Sequence, residues 1–345
     1  MSSGTLAIRA DASVAIGTGH VMRCLALAQS WQDSGGNAVF AMAESTAAIR
    51  QRLLPESCAV FTIEGAPGSP EDARALISLA REQGAKWVAV DGYKFNGDYQ
   101  DALKAAGLKV LFLDDYGHAG HYSADLVLNQ NLSADPRLYT HRECNTRLLL
   151  GTCYCMLRRE FNAWRGWKRE IPDAARKILV TVGGSDPDNV TLRVMRAIEN
   201  IKVPDLDLVV VVGGSNPHLD SVQRAASSFE HKPRVVTNVA NMSELMAWAD
   251  LAISGAGSTC WEMCALGLPA LLICVAENQK VSAERLAAAG AARLLDIREP
   301  IAVDAITAEV EDLARSRSLR ERICRTGCEL VDCNGASRVV SVMRD

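Results

Sequence analysis

The sequence predicts an α/β protein of two doubly wound domains, each built on a parallel sheet. The 345 residues exceed what one ordinary core accommodates, so two domains are expected. In both halves, short apolar runs alternate with segments of helical periodicity, as in strands joined by crossover helices. A polar segment ends at Ile171-Pro172-Asp173, and a new strand follows it. We therefore expect domains at residues 1–172 and 173–345.

The composition excludes several classes of protein. Hydrophobic residues make up 48% and charged residues 23% of the chain, which is typical of a soluble globular protein. A net charge of −4 gives no general attraction for nucleic acid or anionic membranes. No apolar run reaches membrane-spanning length, and the first residues do not resemble a signal peptide, so we expect a cytoplasmic protein. The 11 cysteines and six histidines lack zinc-site spacing, so no metal is expected.

In the first half, strands are expected at apolar runs and helices at the 3.6-residue periodicities between them. The strand candidates are residues 6–10, 38–41, 59–63, 87–90, 110–113 and 126–128, and the helix candidates are residues 45–54, 71–83 and 98–106. This alternation predicts a parallel sheet whose functional groups gather beyond the carboxyl ends of the strands.

The stretch from Ile16 to Ala28 organises the candidate site of this half. Gly17 and Gly19 allow the backbone to turn tightly and to approach a ligand, and helical periodicity predicts a helix that begins near residues 18–19. His20 is therefore expected in the first turn of a helix, where the helix dipole disfavours a protonated imidazole. A neutral imidazole can take a proton from water. The alternative is a glycine-rich turn whose histidine only satisfies local hydrogen bonds.

Polar side chains follow four of the predicted strands and are expected to share one rim with His20. They are Asp11, Asp91, Tyr93, Asp114, Asp115 and the run Asn129-Gln130-Asn131. Each alone is most often a turn or cap residue, but four strand ends together predict a polar pocket. We expect Asp11 and Arg23 to contact the substrate in this pocket. For Asp11, tuning of His20 and capping of the turn are both open.

The second half repeats the alternation and adds glycine-rich turns. Its strand candidates are residues 177–182, 208–212, 251–254 and 270–275, and its helices include residues 281–289, 303–315 and 336–344. In two-domain folds of this type, the last helix often crosses back to the first domain.

A glycine-rich loop in the second half is the strongest phosphate signal. Ala256, Gly257, Ser258 and Thr259 follow a predicted strand and open a helix, so backbone N–H groups and two hydroxyls can meet a phosphate. Glu262 can then reach a ribose diol, or it can merely complement the helix dipole. Further nucleotide contacts are expected from Gly184, Ser185 and Val239.

Together these features predict a nucleotide diphosphate bound by the second domain and a base in the first. A nucleotide sugar held with its anomeric carbon near His20 would bring the two functions together in a cleft between the domains.

Several long motifs occur in an order that identifies a family. They are residues 9–11, 16–28, 91–93, 114–115, 125–131, 157–161, 182–188, 256–262, 266–269 and 276–279. In these motifs the chain resembles the nucleotide-sugar hydrolases of pseudaminic acid biosynthesis, which act on UDP-2,4-diacetamido-2,4,6-trideoxy-altropyranose. That family is related to spore-coat polysaccharide proteins and to GT-B glycosyltransferases. The resemblance covers roughly residues 6–289.

The resemblance implies a GT-B fold of two facing Rossmann-like domains, with no metal and no cofactor. It implies hydrolysis of the anomeric C–O bond with inversion, releasing UDP and the free amino sugar. By position, His20 would activate water, Tyr93, Asn278 and Gln279 would contact the sugar, and residues 257–259 with Glu262 would hold UDP. Gly92 and the pair Tyr99-Gln100 depart from the residues that members often carry, on the expected sugar side.

Three other functions remain open from the residues. The same cleft could deliver an acceptor hydroxyl, as in a glycosyltransferase. A nucleotide-sugar 2-epimerase would need further acid and base carboxylates, for which Asp91, Asp114 and Asp115 are the candidates. A sensor that binds a nucleotide sugar without turnover is the third.

Overall fold

The computed structural model describes residues 4–296 and 303–345. The chain forms two compact units, one up to Arg159 together with Cys333–Asp345 and the other over Glu160–Asp332. Residues 160–172 lie in the second unit, where Arg169 donates hydrogen bonds to three backbone carbonyls.

The first unit, in its described part, contains a sheet of seven parallel strands in the order β3-β2-β1-β4-β5-β6-β7. The strands are β1 Thr5–Ala10, β2 Asn37–Met42, β3 Ala59–Thr62, β4 Ala85–Asp91, β5 Lys109–Leu113, β6 Leu126–Asn129 and β7 Arg147–Leu150. The six strands expected in this half are confirmed. β7 was not predicted, because a run of three apolar residues does not distinguish a strand from a turn of helix.

The second unit has a sheet of six parallel strands among the residues described, in the order β10-β9-β8-β11-β12-β13. The strands are β8 Lys177–Thr181, β9 Asp207–Val212, β10 Arg234–Thr237, β11 Leu251–Gly255, β12 Ala270–Cys274 and β13 Arg293–Asp296. The four expected strands are confirmed, and the two edge strands, β10 and β13, were missed. In each sheet the chain order reverses once, between β1 and β4 and between β8 and β11, which is where such sheets bind ligands.

Helices cover both faces of these sheets. They are α1 Gly19–Asp33, α2 Ala47–Leu53, α3 Pro70–Glu82, α4 Gly97–Ala105, α5 Val190–Glu199, α6 Leu219–Ser228, α7 Met242–Trp248, α8 Thr259–Ala265, α9 Lys280–Ala289, α10 Val303–Arg315, α11 Arg317–Leu330 and α12 Gly335–Arg344. In the described part of the chain, no helix is both long and apolar enough to cross a membrane.

The core of the first unit fixes the position of α1. One face of α1 packs on the sheet, and α12 packs against it as well, so Leu25 and Trp31 share one buried cluster with Val339 and Val340. A helix covered on several sides is apolar around most of its surface, which explains why α1 lacks a strongly polar face. The first turn of α1 is thereby held at the carboxyl end of β1.

Candidate functional site

The centre of the candidate site is a contact between His20 and Asp91. His20 lies in the first turn of α1, and Asp91 is the last residue of β4, the neighbour of β1. His20 Nδ1 lies 2.6 Å from Asp91 Oδ1. An ionised carboxylate only accepts hydrogen bonds, so Nδ1 donates to it, and in the neutral imidazole Nε2 then keeps a lone pair. The imidazole side chain retains 11% of its exposure, so it can meet a ligand.

Arg23 binds two carboxylates of the site at once. Its Nε and Nη2 lie 2.6 and 2.7 Å from the two oxygens of Asp91, and its Nη1 lies 2.7 Å from Asp115 Oδ1. Burial raises the pKa of Asp91, but the charge of Arg23 brings it well below its ordinary value. The pKa of Asp115 is likewise lowered by Arg23 against the effect of burial. Both carboxylates are therefore ionised at neutral pH.

Tyr93 and Asn131 complete this cluster. Tyr93 donates its hydroxyl to Asp115 Oδ2 at 2.8 Å, and its ring meets the His20 imidazole edge to face at 4.9 Å between centroids. Asn131 donates to Asp115 Oδ1 at 2.7 Å. The structure thus brings His20, Arg23 and Tyr93 together, as the sequence analysis expected. Asp91, Asp115 and Asn131, which were expected on the same polar rim, also belong to this cluster.

Asp11 and Asp114 point to other partners. Asp11 Oδ1 accepts the backbone N–H groups of Ala43 and Glu44 at 2.8 and 3.0 Å, and the carboxylate pairs with Arg9 at 2.7 Å. Asp11 thereby holds the chain that follows β2.

Asp114 caps the turn that follows β5. It accepts backbone N–H groups of residues 116–118 and the hydroxyl of Tyr122. Burial raises the pKa of Asp114, but His118 above all, and these hydrogen bonds after it, lower the value to about 2. Asp91, Asp114 and Asp115 are thus all deprotonated at neutral pH, so none can serve there as a proton donor.

Gly17 and Gly19 lie in the turn that leads into α1 and His20. Gly17 has φ of +79° and donates its N–H to Ser13 O at 2.8 Å, which closes a tight loop. Gly19 is the first residue of α1, and Thr18 adds no side-chain cap to this helix. The start of the helix predicted at residues 18–19 is confirmed.

In the second unit, the loop 256–259 follows β11 and includes Thr259, the first residue of α8. Glu262 lies half-buried in the first turn of that helix. Gln279 approaches this loop closely, since a Cβ built on Gly257 would lie 3.9 Å from Gln279 Nε2. Gln279 Oε1 also accepts the N–H of Val275 at 3.4 Å. The structure therefore brings Gln279 next to the loop. The side chain of Asn278 lies outside the described part of the chain.

Gly184 and Ser185 lie in a loop that packs on the next glycine turn. Gly184 O accepts the N–H of Ser215 at 3.2 Å, and a Cβ on Gly213 would lie 2.3 Å from that oxygen. Two backbone N–H groups in the first turn of α5 already have an acceptor, because residues 190 and 191 donate to the Asp186 carboxylate at 2.7 and 2.9 Å. Val239 lies half-buried in the loop between β10 and α7.

The residues that depart from the family pattern are structural in this chain. Tyr99 is buried and donates its hydroxyl to Asp72 at 2.7 Å. Gln100 is fully buried and accepts the backbone N–H groups of residues 123 and 124. Gly92 has φ of +150°, and a Cβ there would lie 2.9 Å from the Phe95 ring. The expectation that Tyr99 and Gln100 lie on the sugar side is therefore wrong, because their side chains bind the interior of the first unit.

Over residues 4–296 and 303–345, no group of three or more His, Cys, Asp or Glu side chains is arranged to hold a metal ion.

The sequence and the fold of this chain are similar to those of known proteins. Residues 177–322 match the glycosyltransferase family 28 C-terminal domain. Spinosyn rhamnosyltransferase SpnG has 16% sequence identity and a TM-score of 0.69 over 99% of this chain and 100% of that structure, which confirms the GT-B fold. The UDP-2,4-diacetamido-2,4,6-trideoxy-beta-L-altropyranose hydrolase of Campylobacter jejuni is 26% identical over 82% of this chain and 96% of its own length.

A stronger similarity is to the spore coat polysaccharide biosynthesis protein SpsG of Bacillus subtilis. The two are 30% identical over 239 residues, which are 68% of this chain and 69% of SpsG. The chain belongs to the family of SpsG.

Proposed function

We propose that the protein hydrolyses a UDP-linked 2,4-diacetamido-2,4,6-trideoxy hexose to UDP and the free sugar, with inversion at the anomeric carbon. The observation that carries the proposal is the 2.6 Å contact of His20 Nδ1 with the ionised Asp91, which leaves Nε2 free to accept a proton. The substrate class is taken from the name of the Campylobacter jejuni relative.

In the proposed reaction, a water oxygen attacks the anomeric carbon while His20 Nε2 takes the proton of that water. The bond from the anomeric carbon to the phosphate oxygen breaks, and its electron pair leaves with UDP. The imidazolium that forms is stabilised by Asp91, which stays ionised because Arg23 binds both of its oxygens. UDP is held by the loop 256–259 and Glu262, and stabilisation of its charge there makes a strong acid unnecessary.

The test is proton NMR of the purified protein with the UDP-linked sugar and no acceptor. We expect equal amounts of UDP and free sugar, the sugar appearing first as the inverted anomer. His20→Ala should abolish turnover and keep UDP affinity within about threefold, because His20 acts on water rather than on the nucleotide. Loss of UDP binding in this variant would place His20 in the phosphate site or in the fold, and retention of the anomeric configuration would exclude direct attack by water.

A second candidate is an inverting glycosyltransferase, favoured by the family 28 domain and by the likeness to SpnG. His20 would then take its proton from an acceptor hydroxyl. A substrate that stays intact until an acceptor is added would show that the protein is a glycosyltransferase.

An epimerase is disfavoured, because Asp91, Asp114 and Asp115 are held ionised by their partners. Tight binding with no turnover under either condition would instead indicate a sensor.

A further inference from the structure

Two thiols of the second unit form a cluster that the proposed function does not use. Cys324 and Cys328 lie one turn apart on α11 and so share one face of the helix. Gly267, just after α8, makes room for both. A Cβ built on Gly267 would lie 2.7 Å from Cys324 Sγ and 2.8 Å from Cys328 Sγ. The two sulfurs therefore converge on a glycine that has no side chain.

Cys324 also lines an open cavity of about 530 Å³ together with Arg169, Arg317 and Arg325. Arg317 pairs with Asp173 and Glu321, whereas Arg169 is held by backbone carbonyls. Burial lowers the pKa of Arg169 to about 10, so this guanidinium is still charged at neutral pH. The cavity thus gives a small reagent access to a sulfur near a cation.

The two thiols of this cluster differ in acidity, because the pKa of Cys324 is lowered and that of Cys328 is raised. The hydrogen bond from Cys328 lowers the pKa of Cys324 to about 7, and the charge of Arg169 acts in the same direction against the effect of burial. The same interaction raises the pKa of Cys328, which is exposed, far above its ordinary value. At pH 7, about half of Cys324 is therefore the thiolate, which is the nucleophilic form of cysteine.

We propose that Cys324 is a site of reversible thiol oxidation by hydroperoxides, with Cys328 as its hydrogen-bond donor and Arg169 as its neighbouring cation. The sulfur attacks one peroxide oxygen, an S–O bond forms, and the O–O bond breaks. The electron pair leaves on the second oxygen, which takes a proton from water. Sulfur is oxidised by two electrons to a sulfenic acid, and the peroxide is reduced.

The sulfenic acid persists until an external thiol reaches it through the cavity. Residues one helical turn apart have Cβ atoms about 5–6 Å apart, whereas a disulfide needs about 3.5–4.5 Å. Cys328 is therefore poorly placed to close a disulfide within α11. An external thiol instead forms a mixed disulfide with Cys324, and the sulfenic oxygen leaves as water. A second thiol releases Cys324 again.

The test is peroxide treatment of the full chain in the presence of dimedone, followed by peptide mass spectrometry. Cys144 and Cys153 are the reference thiols, because both are exposed. Near pH 6 we expect Cys324 to be labelled roughly fivefold faster than either, since its larger thiolate fraction outweighs its lower intrinsic nucleophilicity. Equal or faster labelling of Cys144 or Cys153 would overturn the proposal, as would a Cys324–Cys328 disulfide as the main product.

Alkylation rates measured against pH separate this chemistry from simple accessibility. We expect the rate at Cys324 to level off above about pH 7, whereas an ordinary thiol levels off only above about pH 8.5. Cys328→Ala should move the midpoint of Cys324 upward by about one pH unit, and Cys328→Ser, which keeps a donor, should restore most of the shift. An unchanged midpoint in Cys328→Ala would refute the role of Cys328. Cys324→Ser, the negative control, should lose the fast-labelled peptide.

Discussion

Arg23 binds Asp91 through two nitrogens, at 2.6 and 2.7 Å, on the carboxylate that also contacts His20. The guanidinium and the imidazole arise from one helix, one turn apart, and the carboxylate comes from the end of the neighbouring strand. Arg23 therefore keeps Asp91 ionised and fixed in orientation, and Asp91 in turn fixes the tautomer of His20.

Asp91→Asn should lower kcat about 10²–10⁴-fold, because an amide neither stabilises the imidazolium nor enforces the tautomer of His20. UDP release under saturating substrate measures the effect. Asp115→Asn is the matched control, since Asp115 binds Arg23 and Tyr93, whereas Asp91 is the carboxylate that contacts His20. We expect a much smaller loss in that variant. Equal losses in both, with unchanged melting temperatures, would contradict the His20–Asp91 assignment.

Asp114→Asn should destabilise the protein at pH 7 and do so less at low pH. The pKa of Asp114 is about 2 in the folded chain and about 3.9 in an unfolded one. Its contribution is therefore fully present above about pH 4 and is lost as the pH falls through about 2, a difference of roughly 2–3 kcal/mol. Urea unfolding at several pH values measures it. A destabilisation that does not shrink in acid would mean that the charge of Asp114 is unimportant.

Glu262→Ala should weaken UDP binding by about 1–3 kcal/mol, the cost of losing a hydrogen-bond partner of a bound ribose. Titration calorimetry with UDP gives the affinity. Glu244→Ala serves as the control, because Glu244 also lies in the first turn of a helix of the second unit, α7, and bonds Asn241. Equal affinities in the two variants and the unchanged protein would exclude the ribose contact.

Gly257→Ala should leave stability nearly unchanged while weakening UDP binding at least tenfold. The new Cβ would have only ordinary contact with Gln279 Nε2, at 3.9 Å, so the free protein tolerates it. A phosphate lying against the bare backbone would instead meet the methyl group. Titration calorimetry measures the affinity for UDP, and a thermal melt measures the stability. Unchanged affinity at an unchanged melting temperature would remove this loop from the phosphate site.

The strands inside the two sheets could be predicted from the sequence better than the strands at the sheet edges. Ten strands had been expected from their apolar runs, and the structure contains each of them. The three that were missed, β7, β10 and β13, are four residues long, and none contains more than three consecutive apolar residues. Such a run fits a strand or a single turn of helix equally well.

The candidate site was predictable only in part, for a different reason. His20 follows from a glycine turn and a helix start, which are local features. Its pairing with Asp91, 71 residues away, depends on β4 lying beside β1, and the order of strands is a tertiary property. Adjacent residues at a strand end point in opposite directions. Which of Asp114 and Asp115 faces Arg23 depends on tertiary structure, so their contrasting roles could not be predicted from the sequence.

The packing of α12 on α1 has a consequence for the order in which the protein assembles. Residues 335–344 follow the entire second unit along the chain, yet they complete the core that holds the helix of His20. During synthesis, the second unit can fold as soon as it has been made, whereas the first must wait for α12 with Trp31 incompletely covered. A chaperone that shields apolar surface would therefore act mainly on the half of the protein that is translated first.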